Sequence, residues 1–335
     1  MKLYFLFVGI LSFTFCFSQT VELFNTNSKA SLRGLSVVSN KVIWASGSQG
    51  TVLRSIDAGV TWEQKKVPGY EKTDFRDIEA FDKKNAVIMG IDTPAVILIT
   101  KDGGETWQRT YYNNKAGMFL DAMEFWNLNS GIVIGDPIDG RFTILRTFDG
   151  GKKWQEIPFN NRPVADSGEA CFASSGTNIA KISNDEAVFV SGGLASNLFV
   201  RDKKIKLPLV QGKESTGANA IATKSKKYFI IVGGDFTKAN DSTGNCFITT
   251  DAGQTFIRPT TPPAGYRSGV TYAGKKVWYT CGLSGVDISK DDGVNFENIS
   301  TTSFHAAKKA RKGKAVFFSG GGGRIGRLVE PVKAK

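Results

Sequence analysis

One histidine, His305, four cysteines and four methionines in 335 residues leave little material for metal or redox chemistry. Metal centres draw on His, Cys and acidic ligands at short spacing, and catalytic dithiols on a CxxC pair; neither pattern occurs here. No metal and no cofactor are therefore expected. If Cys16 leaves with an N-terminal leader, the remaining Cys171, Cys246 and Cys281 are odd in number and widely spaced. A disulfide framework is not expected in a chain long enough to bury its own core, although a Cys246–Cys281 bridge stays open. Beyond the leader no apolar run approaches the roughly 20 residues that span a bilayer, so no transmembrane segment is expected. Stretches of helical period are missing as well.

The leader itself reads as an export signal. Lys2 supplies the positive start, Leu3 to Phe17 the apolar run, and Ser18 a small residue before Gln19. Phe15 stands where a small residue should precede a lipid-modified cysteine, which argues against a lipoprotein at Cys16. The expectation is a signal peptide over 1–18 and one mature domain over 19–335, exported to the periplasm or beyond. Losing Lys2 lowers the formal charge of +12 to +11. Such a balance favours anionic partners and is silent about fold. Nucleic acid is not an expected partner, because no binding module for it is recognisable.

The dominant feature is a repeat. Ser55-Ile-Asp57-Ala-Gly59-Val-Thr61-Trp62 returns at Thr100 to Trp107 around Asp102, and at Thr147 to Trp154 around Asp149. Weaker copies follow at Thr249 to Phe256 around Asp251 and at Ser289 to Phe296 around Asp291. The aspartates step by 45, 47, 102 and 40 residues, the long step fitting two periods with a decayed copy near Asp202. A period of roughly 40–50 residues marks a propeller or solenoid. Short β-branched and aromatic runs bounded by Gly, Asp and Asn give four strands per copy, hence propeller blades. Counting second strands near residues 41, 86, 131, 187, 228, 276 and 315 predicts an all-β, seven-bladed β-propeller. The last repeat has only three strands, so Thr20 to Asn25 is predicted to close blade seven. The five Asp-box aspartates read as structural, accepting backbone N–H groups at peripheral turns while the following aromatic packs between blades.

Strand alternation sorts polar residues onto faces. Inner-strand starts bring Arg33, Arg76 with Asp77, Asp121, Glu169, Asn219, Arg267 and His305 to one channel mouth, His305 being read as able to gain charge. The turns after second strands add Asp92, Asp136 and Asp235 to the same face. Three arginines offer planar forks for carboxylate groups; a self-neutralised ring closing the channel is the bland reading. The opposite face gathers Lys83-Lys84, Lys224 to Lys227, Lys275-Lys276 and Lys308 to Lys314. Solvated charge is the expectation there, with an anionic glycan or lipid surface as the alternative. Gly321-Gly-Gly323-Arg-Ile-Gly326 matches a dinucleotide fingerprint but sits in a β-turn that leads into a strand, so no nucleotide is expected.

Phe75-Arg76-Asp77-Ile78, Gly135-Asp136-Pro137, Gly168-Glu169-Ala170-Cys171-Phe172-Ala173 and Gly265-Tyr266-Arg267-Ser268-Gly269, on top of the Asp-boxes, carry a family resemblance. From about Arg33 to Arg327 the chain resembles the photosystem II stability/assembly factor-like propellers of the BNR/Asp-box, sialidase-like repeat superfamily. More closely it is similar to the exported bacterial branch often labelled "oxidoreductase". The resemblance implies a seven-bladed propeller and, in photosynthetic members, a binding role in assembling a membrane complex. The oxidoreductase label finds no support among the residues.

Two functions follow. The first is an exported, non-catalytic, monomeric propeller that docks a protein, a peptide or an anionic glycan through Arg33, Arg76 and Arg267, held by Asp77, Asp121 and Glu169. The second is a glycan-active hydrolase, with Asp121, Asp136 and Glu169 as candidate carboxyl groups at the separations such chemistry needs. Tyr266 would be a sialidase-like nucleophile beside the three arginines. Arg76 is followed by Asp77 rather than the Ile-Pro of sialidases, which also have six blades; the binding reading is preferred.

Overall fold

A computed structural model describes residues 19–329; the expected signal peptide, residues 1–18, lies outside the described residues. Blade 1 pairs Leu32–Val37, Ile43–Gly47, Thr51–Ser55 and Glu63–Lys66 in that order. Blade 2 runs Phe75–Ala80, Ala86–Gly90, Ala95–Thr100, Gln108–Asn113, and blade 3 Leu120–Phe125, Gly131–Ile138, Arg141–Thr147, Gln155–Glu156. Blade 4 is Ile179–Lys181, Ala187–Val190, Asn197–Val200, Lys203–Lys206. Thr216–Thr223, Phe229–Asp235 and Cys246–Thr249 form blade 5, with Ile257 bridging Ile248 where a fourth strand would lie. Blade 6 is Gly269–Gly274, Val277–Gly282, Gly285–Ser289, Glu297–Ser300.

In blade 7, Ala306–Lys309, Val316–Ser319 and Ile325–Val329 are completed by Thr20–Phe24, which pairs antiparallel with Ile325–Val329. The closure of the ring by the N-terminal strand, and the seven blades, are as the repeat predicts. Gly321 to Gly323 lie in the turn between the last two chain-order strands of blade 7, with no helix behind them. Among the described residues the only helix is a single 3-10 turn, Phe159–Asn161, so none is long and apolar enough to cross a membrane.

Each blade interface has its own apolar cluster, and this is where the Asp-box earns its place. Trp154 packs with Val87 and Met89 of the preceding blade, Trp107 with Trp44, Phe256 with Leu198, Phe296 with Ile230, and Trp62 with blade 7. The turn that presents these rings is a closed hydrogen-bond device. In blade 2 the Asp102 carboxylate accepts from the Thr106 amide at 3.0 Å, and the Gly104 amide donates to Thr100 Oγ1 at 2.9 Å. The residue after each aspartate adopts positive φ and sends its N–H to the turn between strands one and two of the same blade. Ala58 thus donates to Lys41 (3.0 Å), Gly150 to Asn129 (2.7 Å) and Asp292 to Lys276 (2.9 Å). Hydrogen bonding to the charged form holds Asp57, Asp102, Asp251 and Asp291 below the ordinary carboxylate range, with Asp251 at about 2. Asp149 makes the same contact, accepting from Lys153 N at 3.0 Å.

Blade 4 departs from the pattern. The decayed copy near Asp202 has shrunk to the two-residue turn Arg201-Asp202, with no box. Its interface with blade 3 is filled instead by Phe142, Phe189 and Phe199, the last two stacked at 4.3 Å between ring centroids. Cys171, Cys246 and Cys281 are all free, buried thiols, so no Cys246–Cys281 bridge forms.

Candidate functional site

The inner strands of blades 1, 2, 3 and 5 share a detail that periodicity alone did not reveal. Register slips by one residue between Leu32 and Gly34, Phe75 and Asp77, Leu120 and Ala122, and Ala218 and Ala220. The extra residue on each bulge is Arg33, Arg76, Asp121 or Asn219. A bulge leaves one residue out of the ladder and re-aims its side chain. Four blades thus use the same distortion at the same place to turn a polar side chain toward the axis.

The second unexpected element is a strap. The inner strand of blade 4 begins only at Ile179, and Glu169–Ala170 instead forms a short pair with Gly192–Gly193 beside blade 5. The residues between cross the channel. Cys171 N donates to Asp136 Oδ1 of blade 3 (2.9 Å), and Ser174 O accepts from Arg33 of blade 1 (3.1 Å). Ser174 Oγ donates to Asn219 of blade 5 (2.8 Å), and Ser175 Oγ to the Ser268 carbonyl of blade 6 (2.6 Å). Small residues are required on the axis. A Cβ on Gly176, whose φ is +62°, would stand 2.4 Å from Asp77 Oδ1.

Above the strap lies a cavity of about 460 Å³, lined by Arg33, Arg76, Asp136, Tyr266, Ser268 and His305 with Phe119, Phe172, Phe236 and Leu283. Arg33 is largely desolvated; burial first, and then the neighbouring Arg76 charge, lower its pKa. Among the described residues no carboxylate pairs with it, and Ser174 O is its one acceptor. Arg76 is tied to Asp74 at 2.8 Å. Tyr266 donates to Asn219 Oδ1 (2.7 Å) and burial lifts its hydroxyl to about 12. Asp136 is raised to about 6, mainly by burial.

The remaining sequence candidates differ from expectation, His305 in its charge and the others in their place. His305 does not readily gain charge: burial, then Arg33, Arg324 and Arg76, push it down to about 3, so it is neutral, with Nε2 at 3.3 Å from Ser31 Oγ. Arg267 is wholly buried inside blade 6, its Nε on Asp287 and its Nη1 on Ser284 Oγ (2.7 Å). The Arg267 amide bonds to the Gly233 carbonyl of the preceding blade, as those of Leu32 and Phe304 bond to Gly320 and Gly282, so Arg267 takes the buried place of Leu32 and Phe304 while Ser268 reaches the cavity as Arg33 and His305 do. Glu169 is drawn off the axis by Lys204 (3.0 Å), Asn197 (2.8 Å) and the Asp166 amide (2.7 Å).

Asp77 lies beneath the strap, accepting from the amides of Ile78 (2.8 Å) and Met123 (2.6 Å), with burial raising it to about 8. Asp121 is also fully buried and is held well above the carboxylate range, by burial and then by Asp136. Asp235 caps its own turn through Thr237 Oγ1 (2.6 Å), and Asp92 is exposed outside the cavity. Of the carboxyl groups considered for hydrolysis, only Asp136 lines the cavity.

A seven-bladed Asp-box propeller with a strapped channel and an arginine-bearing mouth is the class defined by this architecture. The family model described as photosynthesis system II assembly factor YCF48 matches residues 16–118. Photosystem II stability/assembly factor HCF136 of the Arabidopsis thaliana chloroplast is 36% identical over 66 residues, 19% of this chain and 16% of that protein's own length. Among solved structures, one titled YCF48 bound to D1 peptide superposes with a TM-score of 0.65 at 16% identity, covering 92% of this chain and 96% of the other. YCF48 from Cyanidioschyzon merolae gives 0.66 at 16% identity over 92% and 98%. At that identity the superpositions speak for the fold. The chain is a seven-bladed propeller whose first third, residues 16–118, is similar to the photosystem II assembly factors.

Proposed function

We propose that this chain is an exported, non-catalytic binding propeller that takes an acidic peptide segment of a partner protein into its channel mouth. The observation that carries the reading is Arg33, a desolvated guanidinium in a concave site with no carboxylate of its own and a second arginine beside it. Leaving such a group without a counter-charge is costly, and an incoming carboxylate supplies both charge and a planar fork partner. Phe119, Phe172, Phe236 and Leu283 add apolar walls against which the flanking side chains of a peptide pack. The similar propeller YCF48 bound to D1 peptide supports the same mode of use. Ser174 of the strap and Ser268 of blade 6 add polar lining to the cavity.

The test is binding of fluorescently labelled acidic peptides, with their amidated and Asn/Gln-substituted counterparts, to the mature protein. Arg33→Ala and Arg76→Ala should each weaken acidic peptides by about 10-fold or more, equal to the roughly 1.5–3 kcal/mol of a charge-assisted hydrogen bond. The neutral counterparts should bind poorly to the parent. Equal binding of charged and neutral peptides, or of parent and both variants, would sink the reading. Export is checked separately by fractionating cells that express the full chain.

A further inference from the structure

We propose that the face opposite the mouth seats the protein on the surface of an anionic lipid bilayer, leaving the mouth turned outward; no residue of the peptide site enters this inference. The turns between first and second strands of blades 5, 6 and 7 are neighbours around the axis. They hold three lysines over 224–227, two over 275–276 and five cations over 308–314, with no acid in any of the three segments. Lys226, Lys227, Lys275, Lys276, Lys312 and Lys314 are exposed, and no carboxylate lies within ion-pair distance of them among the described residues. Their neighbours Lys224 and Arg311 are held by Asp292 and Glu79.

A charged face alone is only a solvated face. What distinguishes this one is that apolar side chains project from the same side of the molecule. The Asp-box spends its Ser/Thr, Asp, Gly and aromatic positions on the turn and the blade interface, and its variable positions point to solvent. Those positions carry Ile56 (47% exposed), Val60 (75%) and Phe148 (63%), and Leu128 (68%) tips the adjoining turn of blade 3. Arg146 lies 4.7 Å over the Trp126 ring and 5.5 Å from that of Phe148, making a cationic and aromatic cluster at the same edge. Large apolar side chains exposed on blades 1 and 3, on the same face as the unpaired lysines of blades 5 to 7, fit an interface where headgroup phosphates meet acyl chains. A negatively charged leaflet attracts such lysines within about a Debye length. A soluble polyanion would engage the lysines and have no use for Ile56, Val60 and Phe148.

The experiment is co-sedimentation of the mature protein with vesicles of phosphatidylcholine alone, or of phosphatidylcholine with about 30% phosphatidylglycerol. The protein should bind the anionic vesicles only, and release at about 0.5 M salt. Reversing four exposed charges together (K226E, K276E, K312E, K314E) should lower vesicle binding at least 10-fold. The triple variant I56S, V60S, F148S should lower it several-fold while leaving acidic-peptide binding intact, which also shows that it folds. No binding to anionic vesicles, equal binding to neutral ones, or charge reversal without effect would overturn the proposal. So would binding sensitive to charge but indifferent to the apolar triple variant, with heparin bound as tightly as vesicles, which would assign the face to a polyanion.

Discussion

Blades 1 to 3 and the approach to blade 4 are built from similar lengths of chain and do opposite things with them. In the first three, each repeat spends its residues on four strands and a box turn, and the box aromatic seals the joint with the preceding blade. Before blade 4 the chain abandons the repeat. It drops the box, lets Phe142, Phe189 and Phe199 seal the joint, and lays Cys171 to Asn178 across the axis as a strap. The strap is the floor of the mouth cavity and contributes much of its lining. The repeat is therefore the scaffold, and the place where the repeat fails is where a binding surface is made. A propeller with seven regular blades would have an open channel there instead.

The sharpest way to break this comparison sets two arginines against each other. Both Arg33 and Arg267 stand at the start of an inner strand in the sequence, yet Arg33 belongs to the cavity, whereas Arg267 takes the place of Leu32 in the scaffold. Arg267→Met leaves Asp287 buried and unpaired, and should cost about 3–5 kcal/mol in denaturant unfolding. Arg33→Met removes a desolvated charge with a single hydrogen bond, and should change stability by less than about 1 kcal/mol while abolishing acidic-peptide binding. Similar stability losses in the two variants would mean that Arg33 is scaffold too.

A smaller effect compares two glycines. Gly176 in the strap and Gly293 in the blade 6 box both have positive φ, and a Cβ on either would meet a neighbour at 2.4 Å, Asp77 Oδ1 or Ile230 Cδ1. Alanine at a left-handed position costs about 1–2 kcal/mol before any clash. Both Gly176→Ala and Gly293→Ala should therefore lower the unfolding free energy by about 2 kcal/mol. Only the strap variant should also weaken peptide binding, because it shifts the carbonyl and hydroxyl of Ser174 against Arg33 and Asn219. If Gly293→Ala weakens binding as much, the division between scaffold and strap does not hold.

This division also explains what could be read from the chain alone. Seven blades and the box turns were legible because each is specified locally and repeated: Asp102 and Asp251 contact residues four positions away. The N-terminal closure, a pairing of residues 20–24 with 325–329, followed from the strand missing in the last repeat. The arginine mouth was half legible. Arg33, Arg76, Asp136, Tyr266 and His305 do line one cavity, brought together by strand starts from distant parts of the chain. Glu169 and Arg267 were assigned to it by counting residues, and the count missed two things. A strand start is not a strap, and in blade 6 the count is one residue out, Ser268 rather than Arg267 standing where Arg33 does in blade 1. The partners that capture them, Lys204 and Asp287, lie 35 and 20 residues along the chain with no motif to announce them. The strap carried one signal that could have been used: Ala173-Ser-Ser-Gly-Thr-Asn178 is a run of small residues where an inner strand should have been apolar and bulky.

The subtlest test uses pH to separate the cavity's own titrations from those of the ligand. Asp136 has its pKa raised to about 6, whereas His305 is held down at about 3 and stays neutral from pH 5 to 8. An anionic ligand favours the protonated form of Asp136, so the complex binds more protons than the free protein and affinity rises as pH falls through 6. If the bound ligand suppresses ionisation of Asp136 altogether, linkage allows about a 10-fold gain from pH 7 to pH 5, and less if suppression is partial. Acidic peptides keep their charge over most of that window, since their carboxyl groups titrate near pH 4. Asp136→Asn should bind at pH 7 as the parent does at pH 5 and show a flat profile. A profile that persists in Asp136→Asn, or that runs the other way in the parent, would place the titrating group outside the cavity and remove Asp136 from the site.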